Sequence, residues 1–274
     1  MANISLIIVS HNKPDFIKEA IQGVLNQTHQ DWEAVLVDSG VLLNKGHFDY
    51  LKDPRIRIIP SGETKEMFKT TNMASWCFNN VLNSGKLTGE LVIYLCDDDL
   101  IYPNSFQTYW DYYTKYNREP QAMYSSQDIG LVSTDGKTQI VGKRHAKKPA
   151  GKFCRGVKMD CKVDYLQFCH TRAILGPLGK LLGTTRYHCE DRDEGFHADG
   201  IFMEQIGSLT KVHNIDVITS MNRRTTTSIN LEHADTAVGR AVVLAKAKFK
   251  GLLRRLPSKK KPAKAGAVAN AKGR

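Results

Sequence analysis

The apolar positions of this chain fall into short, dense runs separated by stretches of helical period. Ile4-Ser5-Leu6-Ile7-Ile8-Val9 is largely β-branched and ends at Ser10-His11-Asn12, which predicts a strand buried on both faces. Pro14 suits the first turn of a helix, and Phe16, Ala20, Ile21, Val24 and Leu25 recur at helical spacing behind it. A second strand, Ala34-Val35-Leu36-Val37, ends at Asp38, and a third, Ile56-Arg57-Ile58-Ile59, is closed by Pro60-Ser61-Gly62. Residues 66–83 read as a helix, and Leu91-Val92-Ile93-Tyr94-Leu95-Cys96 as another buried strand. Asn104 to Tyr116 is helical in pattern, with Phe106, Tyr109, Trp110 and Tyr113 gathered on one side as core. Ala122 to Ser125 and Ile129 to Val132 read as two further strands. Strand-helix-strand alternation with short connections predicts an α/β fold built on a parallel, doubly wound sheet with right-handed crossovers.

The pattern changes near Asp235. Val238, Val242, Ala245, Phe249, Leu252 and Leu256 share one helical face, with Lys246, Lys248, Lys250, Arg254 and Arg255 beside or opposite it. This predicts a basic amphipathic helix over 235–257. It either lies on an anionic membrane surface or packs on the domain with its polar face solvated. Residues 258–274 are too polar to bury a core and are expected to be disordered. The formal charge of +11 comes from this end. Of 39 Lys and Arg, 11 lie in residues 241–274, where there is no Asp or Glu; the first 240 residues hold 28 of each sign. A neutral body argues against a nucleic-acid-binding surface. No apolar run is long enough to span a bilayer, and the first residues lack a basic leader. The expected location is cytoplasmic, with contact at the inner face of the membrane if the helix lies on lipid. The 6 cysteines show no metal-ligand or disulfide spacing and read as reduced thiols.

The chemistry of the chain concentrates at Asp97-Asp98-Asp99, directly after the run ending at Cys96. Adjacent carboxylates resist joint ionisation, and a divalent cation relieves that repulsion. Mg²⁺ characteristically bridges a carboxylate to substrate phosphates, and ligands of open α/β sheets bind at strand carboxyl ends. The alternative is an acidic turn opening a helix, whose N-terminus also favours negative charge.

Several segments in order resemble the family 2 glycosyltransferases of GT-A fold. They are Ser5 to Pro14, Gln27-Thr28 with Trp32-Glu33 and Val37-Asp38, and Gly89 to Asp99 with Pro103. The resemblance covers residues 3–110 well, weakens to about 230 and stops before the tail. It implies a Rossmann-like, mostly parallel central sheet flanked by helices. Residues 1–110 would form the nucleotide-sugar half and 111–234 the acceptor half of one domain. It implies a nucleoside-diphosphate-sugar donor, a saccharide or other hydroxyl acceptor, and Mn²⁺ or Mg²⁺. Ser10, Asn12, Asp38 and Asp97 would then meet the donor, Asp98 the metal with Asp99 as the other candidate, and Asp164 the donor sugar or acceptor.

His197-Ala198-Asp199-Gly200 resembles the segment that carries the family's catalytic base, which makes Asp199 the base for inverting transfer; a helix N-cap is the alternative for that position. Glu204 is a weaker candidate, and His170 reads as structural. The chain departs from the family at Ser39, where many members have a second acid. It departs again on the 66–83 helix, where Met73 and Trp76 precede Asn79-Asn80 and no Arg is present for the diphosphate. Lys65, Lys69 or the basic stretch at 143–158 would have to substitute. A metal-dependent nucleotidyltransferase is a competing enzyme class, but Ser10 to Pro14 lacks its Gly-rich loop. A sugar-nucleotide-binding scaffold with a decayed active site is the non-enzymatic alternative.

Overall fold

The computed structural model describes residues 2–11, 13–39, 46–64, 66–133, 136–146, 163–192 and 197–225. Asn12, Lys65, most of the basic stretch at 143–158, the predicted helix over 235–257 and the tail lie outside the described residues.

The chain folds around a 9-stranded sheet. Strands β1 (Ile4–Ser10), β2 (Trp32–Asp38), β3 (Ile56–Pro60) and β4 (Leu91–Cys96) form its first half. They are parallel, with β1 between β2 and β4. Helices α1 (Pro14–Leu25) and α2 (Met73–Asn83) make crossovers. The second half adds β5 (Leu100–Ile101), α3 (Ser105–Lys115), β6 (Ala122–Val132), β7 (Thr138–Arg144), β8 (Phe168–Thr171), α4 (Leu175–Leu182), α5 (Ala198–Leu209) and β9 (Val212–Arg224). Here the ladders are mixed: β8 runs antiparallel to β4 and β6, while β9 runs parallel to β6 and antiparallel to β5.

Period-2 alternation sorts β1 onto two cores. Ile4, Leu6 and Ile8 pack with Ile17, Ala20, Ile21 and Val24 of α1 and Phe106 and Tyr109 of α3. Ile7 and Val9 pack on the other face with Phe78 and Val81 of α2 and Phe202, Met203 and Ile206 of α5. Because α1 and α2 pack on opposite faces of the sheet, the adjacent carboxyl ends of β1 and β4 form the switch point where open α/β sheets bind ligands.

The structure revises two predicted elements. The helix expected over 66–83 is broken. A short 3₁₀ turn at Met67–Lys69 is followed by α2, whose cap Asn72 accepts a bond from Ser75 N (3.2 Å). Between them Thr71 bridges to Asp191 and Asn72 N donates to Glu190 O (2.8 Å), and this extended pairing interrupts the helix. The two strands expected over 122–132 are one. The polar residues that seemed to separate them are buried and bonded: Tyr109 Oη donates to Ser125 Oγ (2.8 Å), Ser126 Oγ to Asp216, and Gln127 Nε2 to Asp164. A register shift against β9 accommodates Ser125 to Gln127.

His170 is structural, as expected. It is fully buried, with Nδ1 2.9 Å from Thr171 O and Nε2 2.7 Å from Tyr94 Oη. A carbonyl can only accept, so Nδ1 carries the proton and Tyr94 donates to Nε2. Burial pushes the His170 pKa down to about 4, and lowers that of neighbouring His188 as well. Each of these histidines therefore contributes stability that is present above its unfolded value near 6.5 and is lost as pH drops toward the folded value, about 4 for His170. Chemical denaturation at stepped pH checks this: the stability of the parent relative to His170→Asn should decline from about pH 6.5 to 4, and a difference that does not change with pH rejects it.

Candidate functional site

The site is built at the carboxyl ends of β1, β2 and β4. Asp97, Asp98 and Asp99 leave β4 in a tight turn, closed by Asp99 N donating to Cys96 O (3.2 Å), and each carboxylate meets a different partner. Asp97 Oδ2 accepts His11 N at 2.6 Å, tying the triplet to the end of β1. Asp98 pairs with the Lys13 ammonium, which stands 3.9 Å from Asp97 Oδ1 as well. Asp99 is buried and accepts from Arg223 N (2.9 Å) and Asn222 Nδ2 (3.1 Å) of β9. Burial raises the Asp97 pKa to about 7, with the Lys13 charge and the His11 bond opposing it. Burial and the neighbouring Asp98 charge raise that of Asp99 further. Lys13, despite its burial, is held above its ordinary value by Asp98 and Asp97.

Arg223 fixes this arrangement. Its side chain is 1% exposed, and its guanidinium donates to Asp98 O and to Glu19 of α1 while stacking on Phe16 (4.8 Å). One arginine thus joins β9, the acidic turn and α1.

The other expected residues have the following positions. Ser10 is fully buried at the end of β1, and its Oγ has no hydrogen-bond partner among the described residues. Asp38 ends β2 half-buried, and its carbonyl accepts Ser61 N (3.1 Å). Ser39 is buried, and its carbonyl and Oγ lie 2.9 and 3.0 Å from His11 Nδ1, so the departure at that position orients the His11 ring. Asp164 caps a 3₁₀ turn at Tyr165–Gln167. Its carboxylate is bonded to Arg144 and, at 3.0 Å, to Gln127 Nε2.

Asp199 lies in the first turn of α5, where His197 occupies the cap position; the N-cap alternative therefore does not describe Asp199. Its Oδ1 accepts Gly200 N (2.7 Å). The buried Tyr165 hydroxyl lies within electrostatic reach of both Asp199 and Cys96, which puts the head of α5 near the end of β4. Glu204 is exposed further along the helix.

With this geometry in hand, known proteins can be compared. The sequence model of Glycosyl transferase family 2 matches residues 5–121, which hold β1 to β5, α1 to α3 and the acidic turn. Protein CgeD of Bacillus subtilis (strain 168) is 27% identical over 210 residues, 76% of this chain and 46% of CgeD. Over residues 5–121 the chain is thus similar to family 2 glycosyltransferases. A second relative, the uncharacterized glycosyltransferase RC0461 of Rickettsia conorii, is 24% identical over 126 residues, 46% of this chain and 20% of its own. The chain therefore spans about half or less of these curated relatives. In fold, the chain resembles S. aureus TarS 1–349 in complex with UDP-GlcNAc. The TM-score is 0.58 at 12% identity, over 91% of this chain and 66% of that one. It also resembles mannosyltransferase PcManGT from Pyrobaculum calidifontis in complex with GDP-Man and Mn²⁺, with TM-score 0.51 at 13% identity, over 90% and 64%. The GT-A-like sheet is thus the shared frame.

Asn222, Arg223, Arg224 and Gln127 escape the sequence reading, which holds Arg144 only within the basic stretch at 143–158 and Lys13 only within the Ser5 to Pro14 segment. The available signal was the polar cluster Asn222-Arg223-Arg224, which stands out after the strand-like Ile215 to Met221. Arg223→Met should cost about 1–3 kcal/mol, because the Asp98 carbonyl loses a charge-assisted donor inside the fold. The shift of the urea midpoint measures it.

Proposed function

We propose that this domain is an inverting glycosyltransferase. It moves a sugar from a nucleoside-diphosphate sugar to a hydroxyl acceptor, in polysaccharide or glycoconjugate synthesis. The observation that carries the reading is the convergence of the acidic turn after β4 with the first turn of α5 beside one crevice. The fold neighbours support the donor class, since one is in complex with UDP-GlcNAc and the other with GDP-Man.

The residues fit a divalent ion held by a single carboxylate. Asp97 and Asp99 are engaged by backbone N–H groups, whereas Asp98 faces the more open side and already attracts the Lys13 ammonium. Asp98 would hold Mn²⁺ or Mg²⁺, with Asp99 in support behind it, and Lys13 would turn aside. Bound there, such an ion supplies Lewis-acid neutralisation of the donor diphosphate. Asp97, anchored by His11 N–H, offers its second oxygen to the ribose. Ser10 and Asp38 would face the nucleotide, and Asn12, outside the described residues, is assigned to it on sequence alone. His11, its Nδ1 held by Ser39, lies 5.3 Å from the Phe68 ring and frames the same pocket. Asp164, fixed by Arg144 and Gln127, serves the sugar side.

Asp199 takes the acceptor proton as the hydroxyl attacks the anomeric carbon from the face opposite the diphosphate. The sugar inverts in one displacement, and no enzyme-bound sugar forms. Among the described residues no helix is long and apolar enough to cross a membrane. Any membrane contact in this reading belongs to the basic stretch 235–257.

Two variants test the assignments. Asp199→Asn should lower kcat by about 10²–10⁴-fold while donor affinity in calorimetry is kept; full activity in that variant rejects the base. Asp98→Ala should abolish the Mn²⁺-dependent part of UDP or GDP binding, and an unchanged metal response rejects the ion site. Donor hydrolysis with Mn²⁺ separates an enzyme from a scaffold, because only the enzyme releases free sugar.

A further inference from the structure

Four cationic side chains surround the acidic turn, and three are already engaged. Lys13 is on Asp98 and Asp97, Arg144 on Asp164 and Gln127, and Arg223 on Glu19 and the carbonyl of Asp98. Arg186, beside α2, is likewise committed to Asn80, Glu190 and the face of Trp76. Arg224 differs. It is 8% exposed, and its Nε and Nη1 are buried with no hydrogen-bond partner among the described residues.

The strand dictates where this side chain points. Arg223 and Arg224 are consecutive at the end of β9, so they project to opposite faces of the sheet. Arg223 reaches toward α1. Arg224 therefore lies on the face that carries α2 and α5, and with α5, Asp199. It feels the charges of Asp164, Asp99, Asp98 and Arg144, which sets it over the acidic turn.

A guanidinium does not escape desolvation by losing its proton, and two unused donors in a buried position carry a penalty. The Nε–Nη1 edge is planar and spaced to meet two oxygens of one phosphate. The helix that lacks an arginine, α2, is on the same face, with Met73 and Trp76 along it. We infer that Arg224 binds a phosphate of the donor's diphosphate through its Nε–Nη1 edge, and so supplies from β9 the guanidinium that α2 does not. This rests on the donor reading above and deepens it. The contact is with the leaving group, so Arg224 positions the diphosphate and stabilises the charge that grows on it as the sugar departs.

Calorimetry on the full chain tests this, with UDP and GDP as diphosphate probes and uridine and guanosine as controls, each in EDTA and in Mn²⁺. Arg224→Gln should weaken the better diphosphate by about 10- to 100-fold in both conditions and leave the matching nucleoside unchanged. Its melting temperature without ligand should stay within about 3 °C of the parent, because Nε and Nη1 make no hydrogen bond among the described residues. Equal diphosphate affinity in parent and variant overturns the inference and leaves the donor reading intact. So does a parallel loss of nucleoside binding with a large fall in melting temperature, which marks a structural role. A defect confined to a phosphorylated acceptor overturns it too, since the phosphate then belongs to the other substrate. If the parent binds neither UDP nor GDP, the donor reading fails and this contact with it. Arg224→Lys keeps the charge and the stem but not the fork, and carries the comparison if the Gln variant does not fold. It should lose part of the diphosphate affinity; full parental affinity overturns the two-point contact.

Discussion

Three consecutive carboxylates at the end of a buried strand are the constraint that organises this molecule. Two like charges about 5 Å apart repel by ~3 kcal/mol at an effective dielectric near 20, and burial adds to that. The fold separates them by giving each its own donor from a different part of the chain. Asp97 is tied to β1 through His11, Asp98 to the Lys13 ammonium, and Asp99 to the last residues of β9. Each tie also fixes a structural joint. The acidic turn is therefore the place where the parallel first half and the mixed second half of the sheet are fastened together, and Arg223 closes the fastening from behind.

That arrangement explains what the sequence could and could not reveal. Strands β1, β2 and β4 of the first half are read correctly because they are buried on both faces and need mainly apolar residues, as Ile4 to Val9 and Leu91 to Cys96 show. The second half resists such reading because its strands carry polar groups that are satisfied at long range. Ser126, Gln127 and Asp128 look like a loop in one dimension, yet their partners lie up to 90 residues away, as for Ser126 and Asp216. The break at Thr70 to Asn72 has the same origin, since its cause is a backbone pairing with residues 190 and 191.

The site divides along the same line. Acids at strand ends are visible as abrupt changes from apolar to charged residues, so Asp38, Asp97, Asp98 and Asp99 are legible, and the lone acid of the first turn of α5 nearly so. The basic residues that face them are not. Arg144 is visible only as one of many cations in the stretch 143–158, with nothing to mark Asp164 as its partner, and Asn222 and Arg223 of β9 lie in no recognisable motif. Their relation to the acids exists only once β9 pairs with β5, which brings Met221 beside Leu100 and so sets Asn222 and Arg223 against Asp99.

Charge balance gives the site its direction. The cluster Asp97, Asp98, Asp99 and Asp164 faces Lys13, Arg144, Arg223 and Arg224. Burial pushes both Asp97, to about 7, and Asp99 upward, which weakens the hold of negative charge on this side of the cluster. A polyanion entering the crevice thus meets cations, although the sequence at that point spells only acids. In the proposed reading Lys13 and a divalent ion would compete for the same carboxylate, and a displaced Lys13 would be free to turn toward the donor's phosphates. The acids hold the cations in place, and in that reading the cations would meet the donor's charge. A buried arginine with two unused donors, next to carboxylates that are all otherwise engaged, is the expected residue of such a design before its anion arrives.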